Sequence, residues 1–311
     1  MITIWKQKDN QLHRSAILER ACWLQVTSPS DLEVDSLGRE YGIDAETILD
    51  ILDIDERSRY ESFPEYRLII YRVPLKSSES QIPYRTIPLG IVLVDGLIIT
   101  VCSEEPVFIE RVHHQSAERY CLARPNSFVH HLMARAAAEY LRFLKDINRK
   151  TSGVEKDLQK SIRNNELIRL LDMEKALVHF TTSLKSNELV IDKMCKGAWK
   201  GLAEGEMDVL DDVITENRQA IEMANIYSNI LSGMMDAFAS VISNNLNTVM
   251  KRLTSISIAL MIPTLFASLY GMNLSHLPFS RSPFAFLGIA SISVVAAVLG
   301  SWLFTRAGKL R

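Results

Sequence analysis

No aspartate or glutamate follows residue 250, whereas Lys251, Arg252, Arg281, Arg306, Lys309 and Arg311 do. The first 250 residues hold 29 basic against 37 acidic side chains and carry −8, and the remainder carries +6. A surplus of carboxylates argues against nucleic-acid binding, which uses a basic face, and it attracts cations. Cysteine is scarce as well: Cys22, Cys102, Cys121 and Cys195 stand far apart with no C-x-x-C pair. That spacing excludes a disulfide or zinc framework and fits reduced thiols in a cytosolic compartment. The start, MITIWKQKDN, lacks the basic and then apolar plan of a signal peptide, so no exported form is expected. H-E-x-x-H, G-x-G-x-x-G and G-x-x-x-x-G-K-[ST] patterns are missing too. Zinc peptidase, dinucleotide and ATP-driven chemistry thereby lose their support, and neither an enzyme nor an organic cofactor is expected.

Two stretches without fixed charge are present instead, Leu253 to Ser280 and Ser282 to Thr305. About twenty helical residues at ~1.5 Å each cross a ~30 Å hydrocarbon core, so each stretch can span a bilayer. The spans are predicted at 253–272 and 284–305, joined by an outer loop at 273–283 and followed by a basic tail at 306–311. Lys251 and Arg252 precede the first span, and Arg306, Lys309 and Arg311 follow the second. The excess of basic residues on cytoplasmic flanks then puts both termini in the cytoplasm of a multi-pass inner (plasma) membrane protein. The lipid bilayer is its first expected partner.

Ahead of the spans, ITIW, CWLQVTS, RLIIYRVPL and LGIVLVDGLIITVC are short and rich in β-branched or aromatic residues, and read as strands. VDGL supplies a tight turn between two of them. SPSDLEVDSLGREYG and DAETILDILDID read as helices opened by the capping-type residues Ser30 and Asp44. The pattern turns helical and polar from about residue 126, which gives an α+β cytoplasmic domain, α/β/α sandwich-like, over 1–205. One helical pattern then runs from about Met207 to Met272 without proline until Pro263. Its part over 206–252 forms a stalk on the order of 70 Å long. Leu210, Ile214, Ile221, Ala224, Leu231, Met235, Phe238, Ile242, Val249 and Leu253 make its apolar seam, with Asn217 and Ser228 on the same side.

Across the inner membrane edge, Asn247, Met250, Leu253, Ser257, Met261, Thr264, Ala267, Tyr270 and Asn273 recur at steps of three or four and share one helix face. This face is narrow and uncharged, and its small residues let several copies approach closely. One hairpin cannot enclose a pore, so conduction demands an oligomer. A ring of Asn273 carboxamides would offer neutral oxygens to an ion that sheds water reluctantly, as magnesium does. Gly271 and Asn273 are also common helix-ending residues, and the chemistry of the residues leaves filter and cap both open.

YGMN (Tyr270 to Asn273), at the end of the first of two carboxy-terminal spans, resembles the signature of the CorA-type magnesium transporter family. NTVMKRLT at 247–254, DERSRYESFPEYRLIIYR at 55–72 and the basic tail extend the resemblance over essentially the whole chain. The resemblance implies a homopentameric funnel in which the long helix and first span line a central pore. In such a pore Asn273 is the selectivity residue, Gly271 and Met272 complete the filter, and Met250 and Leu253 form a hydrophobic gate. It further implies that intracellular Mg2+, the substrate, is also a regulatory ligand at carboxylates between neighbouring cytoplasmic domains. Asp212 falls on such a position with Asp211 beside it, and Glu79 is the acid of the loop after RLIIYRVPL.

The outer loop departs from the family: LSHLPFSRSP holds His276 and Arg281 and no acid. That leaves cobalt, nickel or zinc as alternative substrates, with a proton-coupled zinc transporter as the second reading. Met272 in the signature favours the magnesium branch. From another class, a non-conducting membrane-anchored scaffold would share the rod helix but pass no ions. The pairs His113-His114 and His130-His131 are expected to serve packing, since adjacent helical residues point apart.

Overall fold

Short runs rich in β-branched and aromatic residues, buried on both faces in the central strands, build one seven-stranded sheet from β1 (Ile2–Lys8), β2 (Gln11–Ser15), β3 (Cys22–Thr27), β4 (Arg59–Ser62), β5 (Arg67–Lys76), β6 (Tyr84–Val94) and β7 (Leu97–Cys102). A computed structural model describes residues 1–77, 82–114, 121–160, 164–198, 204–272 and 284–309. The strand order is β2-β1-β3-β7-β6-β5-β4. β3 runs parallel to β7, and the other neighbours are antiparallel. The predicted VDGL turn joins β6 to β7, with Asp95 at φ 47° and Gly96 at φ 78°. Two left-handed residues give the turn whose twist matches the strands it connects. Asp9 and Asn10, at φ 49° and 56°, do the same between β1 and β2. β2 escaped the sequence reading because QLHRS is polar and buries only Leu12.

Odd and even residues of each strand pack on opposite faces. Leu68 and Ile70 of β5 and Ile99 and Val101 of β7 meet Val34, Leu37, Ile48 and Ile51 from α1 (Asp31–Tyr41) and α2 (Ala45–Leu52). Ile69, Tyr71 and Val73 of β5 with Ile98 of β7 meet Phe108, Phe128, Leu132 and Ile191 from α3 (Val107–His114), α4 (Pro125–Lys160) and α5 (Asn164–Lys193). This is the expected α/β/α sandwich. At Gly90 the upper layer comes so close that a Cβ would stand 2.7 Å from Ile51 Cγ1. Ser30 caps α1 in a reciprocal box with Glu33. Asp44 corrects the capping expectation for α2: its side chain makes no cap hydrogen bond.

DERSRYESFPEYRLIIYR, which carried part of the family resemblance, has a structural job. The half-buried Arg72 guanidinium donates to the carbonyls of Ile54 (2.8 Å) and Glu56 (2.5 Å), to Thr86 Oγ1 (2.9 Å) and to Ser183 Oγ (3.0 Å). Asn187 of α5 bonds both the N–H and the carbonyl of Arg72. These bonds satisfy polar groups that burial would otherwise penalise, and they lock α5 to β5.

After a π-helical turn at Met194–Ala198, α6 runs from Glu204 to Tyr270 and α7 from Ala285 to Lys309. The chain divides into two compact units, Met1–Met235 and Asp236–Arg311. In the first, Leu210, Val213, Ala220, Ala224 and Leu231 of α6 are buried. The seam continues past Phe238, but from Ile242 through Val249 to Leu253 its members are exposed.

Candidate functional site

In the second unit, α7 turns its smallest residues inward: Ser293 and Ala297 are buried, and Ala290, Ala296 and Gly300 are half-buried. A Cβ on Gly300 would lie 2.9 Å from Ile262 Cδ1, so the two helices meet at this glycine, as small residues permit. On α6 the half-buried residues are Ser255, Ile258, Ala259, Ile262, Pro263, Phe266 and Tyr270. A helix turns 100° per residue, so Leu253, Ser257, Met261 and Thr264 lie on the side away from Ile262. All four are exposed, as are Asn247, Met250 and Ala267. Tyr270 departs from this side and sits half-buried with the Ile262 set.

The stripe carries no charge, and its hydroxyls are tied down. Ser257 Oγ donates to the Leu253 carbonyl (2.9 Å), and Thr264 Oγ1 donates to that of Leu260 (2.8 Å). With their protons spent on the helix, these oxygens present only lone pairs outward. Pro263 lacks the N–H that would bond the Ala259 carbonyl, which loosens the helix about two turns before the corner. Gly271 N–H still bonds the Ala267 carbonyl at 2.9 Å, and its φ is not left-handed. A Cβ there would stand 3.2 Å from Ala267 O, so glycine serves close approach at this point. Met272 follows, half exposed. Asn273, His276 and Arg281 lie outside the described residues, as does Glu79.

Asp211 and Asp212 are both exposed near the start of α6 but face different neighbours. Asp211 with Asp192 of α5 raises the Cys195 thiol, an effect second to burial. Asp212 stands one turn before Glu216, whose carboxyl is raised by burial first and by Asp212 next, while Arg135 opposes. Oε2 of Glu216 is buried without a hydrogen-bond partner. Sequence reasoning passed over Glu216, although its i+4 spacing from Asp212 was visible. Among the described residues no cluster of three or more His, Cys, Asp or Glu side chains can hold a metal ion. One chain therefore supplies Asp211 and Asp212 as separate carboxylates rather than as a closed cage.

The histidine pairs divide between packing and solvent exposure: His130 and His131 are buried on α4, the His113 ring stacks on Trp5 at 4.0 Å, and His114 is exposed.

α6 is long and apolar enough to cross a membrane, with a window of mean hydropathy 1.7 of which none is buried inside the molecule. Phe286–Trp302 of α7 is a shorter apolar segment. A protein of Methanocaldococcus jannaschii named "Cobalt/magnesium transport protein CorA" is 26% identical over 293 residues, covering 93% of this chain and 91% of that one. The complete structure of the CorA magnesium transporter from Methanocaldococcus jannaschii superposes with a TM-score of 0.81 at 24% identity over 98% of both chains. The ZntB cytoplasmic domain from Vibrio parahaemolyticus shares the fold at a TM-score of 0.63 and 10% identity, over 78% of this chain and 98% of that one. Residues 19–306 match the family described as CorA-like Mg2+ transporter protein, and the chain, an α/β/α sandwich followed by an acid-free helical hairpin, belongs to that family of divalent-cation transporters.

Proposed function

We propose that this chain forms a homopentameric channel in the inner membrane that takes up Mg2+ down its electrochemical gradient and is gated by intracellular Mg2+. The observation that carries this reading is the uncharged α6 face of Leu253, Ser257, Met261 and Thr264, exposed opposite the contact with α7. Exposed lone pairs and small side chains on a membrane-length helix need neighbours, and a ring of copies supplies both the neighbours and a lined path. Asn273 is the filter residue with Gly271 and Met272, Met250 and Leu253 form the gate, and Asn247 and Ala267 extend the lining, whereas Tyr270 is turned to the Ile262 side. An inside-negative potential supplies about 2.3 kcal/mol per charge per 100 mV, and about twice that for a divalent ion. The cobalt and magnesium in the name of the archaeal relative support a divalent substrate.

Asn273→Ala in liposomes is expected to abolish Mg2+ flux while the oligomer keeps its size; undiminished flux removes Asn273 from the filter. For gating, Asp212 with Asp211 and Glu79 binds Mg2+ between subunits. Asp212→Ala should then reduce protection of the first unit by Mg2+ against protease, and unchanged protection excludes Asp212.

A zinc substrate, proton-coupled, is the second reading, favoured by an outer loop that holds His276 and Arg281 and no carboxylate. Zn2+ uptake that exceeds Mg2+ uptake and follows an imposed pH gradient would establish it.

A further inference from the structure

A cleft of about 470 Å³ lies between the end of β5 and the outer face of α4, lined by Lys76, Arg142, Phe143, Lys145, Asp146 and Arg149. Four of its six lining side chains are cations, on the acidic part of the molecule. Arg142, Lys145, Asp146 and Arg149 recur at the three- and four-residue steps that place helical side chains on one face, and Lys76 closes the cleft from the sheet.

Among the described residues, the two acids beside the cleft are already committed. Asp146 accepts from the Tyr84 hydroxyl and from Arg149 Nη2 (2.7 Å), and pairs with Lys150 at 3.2 Å. Burial works against its ionisation, but these bonds outweigh it and hold the carboxyl at about 2. Glu139, 3% exposed, is shared by Arg111 (3.0 Å) and Arg142. Among the described residues neither the Lys76 nor the Lys145 side chain makes an ion pair or hydrogen bond. The two lysine ammonium groups stand beside two guanidinium groups already bonded to Glu139 and Asp146, so among the described residues the concavity keeps a surplus of positive charge that an entering anion would relieve. Lysine adds point charge toward a phosphate, and the guanidinium N–H groups not used on these carboxylates can add bonds. Several cations spread around a space of this size fit a chain of phosphates better than a single carboxylate.

We propose that this cleft binds a polyphosphate anion, either the phosphate chain of a nucleotide or an inorganic chain. The site lies wholly in the first unit and is distinct from the Asp211–Asp212 carboxylates, so it stands whether or not the transport reading does.

The test is calorimetric titration of the full chain in detergent with ATP and, separately, with inorganic tripolyphosphate. One saturable site per chain is expected, weakening as salt rises because the contacts are charged. Lys76→Gln with Lys145→Gln should lower affinity about tenfold or more, since a hydrogen bond to a charged group carries such a factor. Both lysines are exposed and their side chains make no ion pair among the described residues, so this variant should keep the thermal midpoint of the parent. Arg39→Gln, on α1 across the sheet, should bind as the parent does. ATP bound in preference to tripolyphosphate identifies a nucleotide as the source, and the reverse identifies an inorganic chain. No saturable binding of either anion, or equal binding by the double variant, overturns the assignment.

Discussion

A single imidazole illustrates how burial sets chemistry. His113 stacks on Trp5, and burial first, then the charges of His114 and Arg14, bring its pKa down to about 4. Between pH 6.5 and 4 the unfolded chain binds a proton that the folded chain refuses, so stability rises with pH in this window and is lost on acidification. Above it the group contributes nothing. A fully buried imidazole would lose about 1.4 kcal/mol per unit; partial exposure of His113 brings the expected loss on going from pH 7 to 4.5 to about 1–2 kcal/mol. Urea unfolding followed by tryptophan fluorescence should show this slope, and His113→Phe, which keeps the stack, should flatten it. Gly90 makes the opposite point about space. Gly90→Ala drives a methyl into Ile51 and should cost about 1–3 kcal/mol by overpacking, read as a fall in the urea midpoint.

Helices are where the sequence pattern and the observed faces diverge. The α6 seam from Leu210 to Leu253 is one pattern in sequence, yet its last buried member is Phe238, and from Ile242 onward its members are exposed. Period alone cannot say whether an apolar stripe meets its own chain, another copy or lipid. α7 answers for part of the hairpin: its inward face is Ala290, Ser293, Ala297 and Gly300, and Gly300 sets the approach to Ile262. Gly300→Ala can be absorbed by a shift of the Ile262 tip. Gly300→Leu cannot, and should destabilise the hairpin by about 1–3 kcal/mol, seen as a lower thermal midpoint in detergent. Unchanged stability in that variant would place the helix contact elsewhere. The hydroxyls of Ser257 and Thr264 were legible as polar members of the stripe, but only coordinates reveal that their protons are used inside the helix.

At the scale of the molecule, charge is segregated along the chain. All 37 acids precede residue 250, and the hairpin ends carry the basic residues, the arrangement on which the proposed cytoplasmic placement of both termini rests. The four cysteines, all unpaired, also precede that point, and Cys195 is exposed. A membrane-impermeant maleimide should therefore leave the protein unlabelled in intact cells and label Cys195 after permeabilisation. Burial, Asp192 and Asp211 raise this thiol, so labelling should be slow at pH 7 and faster at pH 9. Labelling in intact cells would reverse the topology.

The sequence by itself determined the class of molecule, because hydrophobic length, charge sign and turn chemistry act locally. Two acid-free runs of membrane length, strands of β-branched residues and the Asp-Gly turn each need only near neighbours along the chain. What depends on distant partners was decided by tertiary structure. The polar strand β2 exists because β1 pairs with it, and Arg72 is held by Ile54, Thr86 and Ser183. Tyr270 leaves the stripe because packing, not spacing, chooses which side of a helix is covered. The burial of Glu216 and the Lys76–Lys145 cleft follow for the same reason: a charge becomes notable only when its neighbours in space fail to balance it.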